Sequence, residues 1–513
     1  MTTTHPRRVG TDVPRTPAPP HTPVNWRGVL GMAAAVFVTL LATASLYSYH
    51  ADELYFRLLG ERGWAWGYVD QPPLLPAVVD LSRTVFGDTQ LGIRVPAALC
   101  AAAIVVLCGL IAAELGGTNR GQLLAVFGVG TSTLVLTFGH WILTSSFDTV
   151  ATCAVLLFTL RALLREEGRW WIWTGVVCGV ALHAKFMVMF LPVCLLLGLL
   201  LVGPRKHFLG RHLYLGMGLT LLIGSPNLIY QILNDYPQLQ MAQALGELDG
   251  ADNRAMFATN LLLQLGPLLT LLWLFGLYKL LRAPQWRPVA ALGVGYLVAT
   301  AAALFIEGGR PDYTGGFLLG LLIAGAVAYD RWLGKRTLAL VVTSFLLALT
   351  TAFQVYLGLP LLPERLLGEW QLASMQHESV GWTALVEQTA RVYQSLPPAE
   401  RQRAVFLAEN FGQAGALDRY AQDHGIPADR IFSGHNELHK WGPPPETADV
   451  VISLGAAPEQ LAKDFASCEV LTRVDNGIAV DNPEQGREIS VCRGHKSTWQ
   501  QSWPAYRHLG AYL

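Results

Sequence analysis

Charge is what this 513-residue chain has least of. Asp, Glu, Lys and Arg make up 14% of it, where ordinary soluble domains carry about a quarter. Three stretches, 122–147, 186–204 and 213–234, contain none at all. At ~1.5 Å per residue each could cross ~30 Å of hydrocarbon as a helix, which excludes a soluble enzyme and predicts a polytopic helical membrane protein. Cysteine is scarce too, with seven residues in the whole chain, no CxxC and no Cys/His spacing suited to a metal. Cys100, Cys108, Cys153, Cys178 and Cys194 fall in apolar runs, where they read as small packing residues. There is no P-loop and no dinucleotide-binding glycine fingerprint, so neither a nucleotide pocket nor a nucleic-acid partner is expected. No internal repeat is visible. No small-residue cleavage pattern follows the first apolar run, so a cleavable signal peptide is not expected.

Apolar runs are abundant. They lie near 28–49, 95–115, 122–142, 146–164, 170–185, 186–204, 213–233, 256–281, 288–306, 313–330 and 337–358, which predicts about eleven spans; 170–204 also reads as one long kinked helix. With the N-terminus inside, seventeen Lys and Arg residues fall in cytoplasmic pieces and seven in the external loops, the bias that orients membrane proteins. The expected location is the plasma membrane, multi-pass. Residues 1–27, rich in proline, read as a disordered cytoplasmic tail. Residues 28–358 read as the membrane domain, and 359–513, where composition turns soluble-like, as an extracytoplasmic α/β domain. There "RAVFLAEN", "ADVVISLG", "SCEVLTRV" and "REISVC" read as strands, with "GQAGALDRYAQDHG" and "APEQLAKDF" as helices. Cys468 and Cys492 sit at matching ends of two of these strands in an oxidising compartment, and a disulfide between them is expected.

Polar residues concentrate on the external side. The first external loop, 49–94, exceeds the ~12–15 residues beyond which loops tend to be functional, and its Trp64, Trp66 and amphipathic stretches suggest helices along the interface. Asp52 and Glu53 stand where the first span emerges. A solvated helix end is the plain account, but a helix C-terminus favours cations over acids. Asp148, in "TSSFDTV", is flanked by charge-free sequence, and an isolated carboxylate at membrane depth is a functional candidate; capping the following helix is its alternative role. Lys185 is the single charge between Arg169 and Arg205. It either snorkels to the interface or, with Arg310 and Tyr313 of "GRPDY", builds a cationic site for an anionic headgroup. His140 and His183 read as ordinary helix residues.

The stretch "DELYF…WGYVDQPPLLP…FGDTQLGIRVP", followed in order by "SSFDTV", "GVALHAKF", "SPNLIYQILNDYP" and "GRPDY", resembles GT-C glycosyltransferases of the protein O-mannosyltransferase and lipid A aminoarabinose transferase group. "ENFGQAGALDRY" and "SGHNELHKWGPPP" resemble the soluble domain many members carry. The resemblance implies a GT-C fold and an inverting transferase that takes sugar from a polyprenyl-phosphate-linked donor at the bilayer surface. It implies Asp52 as the acid of the first loop, Glu53 as its neighbour and Asp148 as the second acid. Tyr55, Asp70, Gln71 and Arg94 of the same motifs join Lys185, Arg310 and Tyr313 as substrate-binding candidates. Gln71 stands where many relatives carry His.

Chemistry leads the same way. A glycosidase needs two carboxylates because its leaving group must be protonated. A polyprenyl phosphate leaves as a stabilised anion, so cations replace the acid and one carboxylate suffices to take a proton from an acceptor hydroxyl. A phosphate acceptor needs no base, and Asp52 then orients donor or acceptor. No cofactor is certain from the sequence, and a divalent metal ion near Asp52 and Asp148 stays open although no ligand spacing argues for it. The acceptor is protein, glycan or lipid. A transporter or lipid flippase is the competing class, but such proteins place polar groups near the midplane with repeat symmetry. Eleven spans are more than a ligand sensor needs as an anchor.

Overall fold

The computed structural model describes residues 21–306, 309–369 and 376–512. The first twenty residues of the N-terminal tail lie outside them, as do Glu307 and Gly308, directly ahead of "GRPDY". Helix α1 (Trp26–Thr43) is the first span. Two helices of the first loop follow, α2 (Ala51–Glu61) and α3 (Leu74–Phe86), and then α4 (Gln90–Glu114) returns through the bundle. The run predicted at 122–142 is a bent pair, α5 (Asn119–Gly130) and α6 (Thr133–His140), meeting at 54°. Ser132 causes the break by capping α6 through its hydroxyl, which accepts from Val135 N–H.

After α7 (Thr144–Leu164) come α8 (Arg169–Ala181) and α9 (Phe190–Val202). These are separate helices. Trp171, at the start of α8, donates from Nε1 to Nδ1 of His207, just beyond the end of α9, so the two run antiparallel with His183–Lys185 at the tip. The kinked-helix reading of 170–204 is thereby replaced by a hairpin. Next are α10 (Arg211–Leu233), α11 (Pro237–Ala255), α12 (Phe257–Leu263) and α13 (Pro267–Arg282). The last two were expected as one span, yet they meet at 92°. Gly266 turns the chain with φ of +97° and Pro267 starts the new helix, since only glycine takes that conformation cheaply and proline suits a first helical turn. Helices α14 (Ala290–Phe305), α15 (Gly315–Leu333) and α16 (Thr337–Gly358) complete the bundle.

Among the described residues seven helices are long and apolar enough to cross a membrane, or nine if each bent pair counts as one span. The chain is thus a multi-pass membrane protein. The count of about eleven is not reached on this measure, because α8 and α9 are short. Some pairs touch backbone to backbone. A Cβ on Gly175 of α8 would collide with the Gly216 carbonyl of α10, and one on Gly276 of α13 with the Leu321 carbonyl of α15. Small residues at such crossings let membrane helices approach closely.

Beyond the bundle, α17 (Trp382–Ser395) and a single turn α18 (Pro398–Arg401) lead to β1 (Ala404–Ala408), α19 (Phe411–Tyr420) and β2 (Ile431–Ser433). They are followed by β3 (Val450–Leu454), α20 (Pro458–Asp464), β4 (Phe465–Arg473), β5 (Glu488–His495) and α21 (Trp499–Tyr506). The sheet order is β2-β1-β3-β5-β4, with β1 parallel to β2 and β3, and β5 antiparallel to β3 and β4. Every residue of β1 and β3 is buried, as expected of central parallel strands covered on both faces. Cys468 and Cys492 face each other across β4 and β5 and form a disulfide; the other five cysteines are free. With a sequence separation of 24 between the partners, loop closure in the unfolded chain accounts for roughly 3 kcal/mol. Cys468→Ser is expected to lower stability by about that amount, read as a lower melting temperature that reductant no longer changes.

The soluble domain rests on the first loop. Tyr49, Leu54, Tyr55 and Leu59 share one buried cluster with Trp382, Phe411, Ala414 and Leu417. Arg57 ties the layers by bonding Asp88 at 2.8 Å, Asp418 at 2.8 Å and Glu61 at 3.0 Å. Helix α2 is therefore sandwiched between bundle and soluble domain, where an interfacial position was expected. Helix α3 keeps the interfacial character, with Leu81, Val85 and Phe86 exposed.

Candidate active site

The first span ends at Thr43, so Asp52 and Glu53 are not at its C-terminus; they form the first turn of α2, where the helix dipole favours acids. His50 is the N-cap. Its Nδ1 accepts from Asp52 N–H at 3.1 Å, and Glu53 Oε2 accepts from His50 N–H at 2.9 Å, a reciprocal cap of the start of the helix. His50 Nε2 in turn lies 3.0 Å from Glu378, contributed by the segment leading into α17. Its ring packs on Trp141 with centroids 4.8 Å apart.

The two acids then part company. Glu53 is fully buried and its oxygens are taken: Arg94 Nη2 donates at 2.7 Å and Ile142 N–H at 3.1 Å. Arg94 also donates to the carbonyls of Ala44 and Ser48. Together they bolt the start of α2 to the end of α1 and to the turn after α6. The carboxylate of Asp52 forms no hydrogen bond or ion pair among the described residues and is part-exposed. Its pKa is raised above the usual carboxylate value, first by burial and then by Glu378 and Glu53, against the opposing charges of His50 and Arg310.

A second group of candidates lies on α7, at the α8–α9 tip and in the turn Pro311–Thr314. Asp148, Ser145, Lys185, Asp312 and Tyr313 line one small polar cavity. Lys185 Nζ donates to Ser145 Oγ at 3.1 Å, and Arg310 Nε donates to Asp312 at 3.2 Å. Oδ1 of Asp148 is buried without a partner among the described residues. Capping of α7 falls to Ser146, whose hydroxyl accepts from Leu143 N–H, and not to Asp148. An unpartnered buried carboxylate oxygen is costly unless a ligand completes it. Among the described residues no group of three or more His, Cys, Asp or Glu side chains could hold a metal ion. His183 is satisfied by Ile223 carbonyl at 2.9 Å, and His140 lies 3.3 Å from Arg94.

A third group joins loop and soluble domain. Tyr55 hydroxyl donates to Asp70 at 3.0 Å and accepts from Glu437 N–H at 3.3 Å, while Glu437 accepts from Val69 N–H at 2.8 Å. Lys440 reaches both Glu437 and the Tyr230 hydroxyl. Gln71 is buried with Nε2 unpartnered among the described residues. The sequence reading missed His50, Glu378 and Glu437. Only His50, adjacent to the acidic pair, carried a local signal.

Asp70 is pushed up from 3.8 to about 7, mainly by burial and further by Glu437 and Asp52, against the Tyr55 hydrogen bond. Folded Asp70 thus holds a proton where the unfolded chain has released it. Its contribution to stability is full below about 3.8 and is lost as pH rises through about 7. Asp70→Asn is expected to flatten that slope, so melting temperatures compared at about pH 5 and about pH 8 should differ less in the variant than in the parent.

Residues 70–230 match the family model of dolichyl-phosphate-mannose-protein mannosyltransferases, a span that holds Asp70, Gln71, Arg94, Asp148 and Lys185. The fold is similar to two crystal structures of ArnT from Cupriavidus metallidurans. One, bound to undecaprenyl phosphate, gives a TM-score of 0.58 over 91% of this chain and 98% of that one. The other, in the apo state, gives 0.60 over 90% and 97%, and identity is 16% in both. By fold, this chain is similar to a GT-C membrane glycosyltransferase. A search of curated proteins finds no match. The GT-C likeness runs through the bundle and the soluble domain alike, so the soluble domain seated on α2 is part of the shared architecture.

Proposed function

We propose that this chain moves a sugar from a polyprenyl-phosphate carrier to an extracytoplasmic acceptor with inversion at the reacting carbon. Its basic connections at the end opposite α2, with Arg27, Arg120 and Arg331, are oriented to the cytoplasm, as their excess of positive charge favours. The catalytic end and the soluble domain then lie outside. The observation that carries the reading is the contrast within the acidic pair: Glu53 is fully engaged while Asp52 offers an unbonded carboxylate at the bundle rim. Asp52 takes the proton of the acceptor hydroxyl as the oxygen attacks the sugar. Burial raises its pKa, which strengthens it as a base near neutrality. Lys185 and Arg310 hold the carrier phosphate as it leaves, with Tyr313 assisting, and Asp148 orients Lys185 and a sugar hydroxyl through its open oxygen. Glu53, Arg94, Tyr55, Asp70 and Gln71 position the first loop. A polyprenyl-phosphate carrier, such as the undecaprenyl phosphate bound to ArnT, suits a site at the membrane edge with apolar helices beneath it.

Lys185→Met and Arg310→Met test the assignment. Each removes a charge-assisted hydrogen bond worth ~1.5–3 kcal/mol, so donor affinity should fall about tenfold or more with little change in melting temperature. Binding of a polyprenyl-phosphate sugar measured by mass spectrometry reads this directly. Unchanged affinity in both variants would return Lys185 to a snorkelling role.

A further inference from the structure

At the end of the bundle away from the acids, α1, α5, α15 and α16 enclose a cavity of about 520 Å³. It is within the ~300–1,000 Å³ range of small-ligand sites. Its walls are almost wholly apolar, formed by Met32, Leu124, Phe127, Leu340 and Leu347. A second cavity of about 380 Å³ shares Leu124, Thr343 and Leu347 with it, so the two make one groove running along α16. That helix is poorly supported: only 11% of its apolar window is buried. It is held by Gln354, which donates to the Leu265 carbonyl, and by the Tyr329–Thr343 hydroxyl pair at 2.7 Å. Its first turns, from Thr337, stand over the groove.

Charge at the groove mouth selects the occupant. Arg27 is exposed and has no hydrogen bond or ion pair among the described residues. Arg120 lines the same cavity and neutralises Asp330, which Thr118 also binds at 2.7 Å. Lys335 and Arg336, on the link between α15 and α16, are exposed at the same end. The rim is therefore net positive above an apolar slot. We propose that the groove holds one anionic phospholipid, with its phosphate between Arg27 and Arg120 and an acyl chain running past Gly31 beneath α16. The lipid supplies the packing that α16 lacks. This site stands apart from the catalytic end and does not depend on the proposed reaction.

Gly31 makes the idea testable, because a Cβ there meets nothing within 4 Å and the residue lines the cavity. Gly31→Phe starts from a Cβ that meets nothing and puts an aromatic ring on the cavity wall. Gly218→Phe on α10, where a Cβ also meets nothing within 4 Å, is the matched control. Full-length protein is exchanged into bilayers of phosphatidylglycerol and phosphatidylcholine, and retained lipid is counted by native mass spectrometry. The expected result is one phosphatidylglycerol kept by the parent and by the control and lost by Gly31→Phe. Arg27→Gln should weaken the preference for the anionic lipid about fivefold, the equivalent of the ~1 kcal/mol one basic residue contributes near an anionic surface. Equal retention of both lipids by the parent, or unchanged retention in Gly31→Phe, would mean annular lipid only and overturn the proposal.

Discussion

Asp52→Asn is expected to slow sugar transfer by ~10²–10⁴-fold, the usual worth of a general base, while the protein folds and binds donor as before. The substitution is nearly isosteric. The Asp52 backbone N–H, which bonds His50 Nδ1, is untouched. The side chain breaks nothing, since its carboxylate makes no hydrogen bond or ion pair among the described residues. Losing its charge should relieve some repulsion from Glu378 and Glu53, so melting temperature should hold or rise. Initial rates with a lipid-linked donor, donor retention and thermal melting separate the three quantities. The parent rate should also climb with pH through a value above the ordinary carboxylate range, because burial holds the proton on Asp52 longer. A variant that transfers sugar at the normal rate would remove Asp52 as base and favour a phosphate acceptor, which needs none.

Much of the bundle was legible because membrane helices are written in composition. Each of the apolar runs corresponds to helix, including the α8–α9 hairpin. Bends were harder to read. The one between α12 and α13 is written locally, in Gly266 and Pro267, but the one at Ser132 looks like any polar residue inside an apolar run. In the soluble domain β1 and β3 were legible as short continuous apolar runs and β4 and β5 as later strands, whereas β2 spans three residues, Ile431–Ser433, too few to show a pattern.

The acidic pair marks the limit. Sequence brings Asp52 and Glu53 to one helix turn, but which of them is consumed by structure depends on Arg94 and Ile142, 41 and 89 residues away. The same holds for Glu378, which reaches His50 only because the soluble domain seats on α2. Residue type is local, while the distinction between an engaged and an open carboxylate is tertiary.

That distinction can be tested from the other side. Arg94→Met should destabilise the protein by ~3–5 kcal/mol, the cost of leaving a buried charge without its partner. Glu53 is fully buried and Arg94 is 1% exposed, so water cannot take the place of the guanidinium. The loss also frees the carbonyls of Ala44 and Ser48, which releases the end of α1 from the start of α2. Transfer activity should fall with it, because Asp52 is aimed by the helix that Glu53 and Arg94 anchor. A merely structural pair and a chemically active one differ in the double variant. Replacing both charges with apolar residues of similar volume is often neutral or stabilising, so Glu53→Leu combined with Arg94→Met should recover most of the melting temperature lost by Arg94→Met alone. If Glu53 only positions the loop, activity should return in proportion to stability. A double variant that regains stability yet stays inactive would give Glu53 a direct part in the chemistry and undo the division of labour proposed for the two acids.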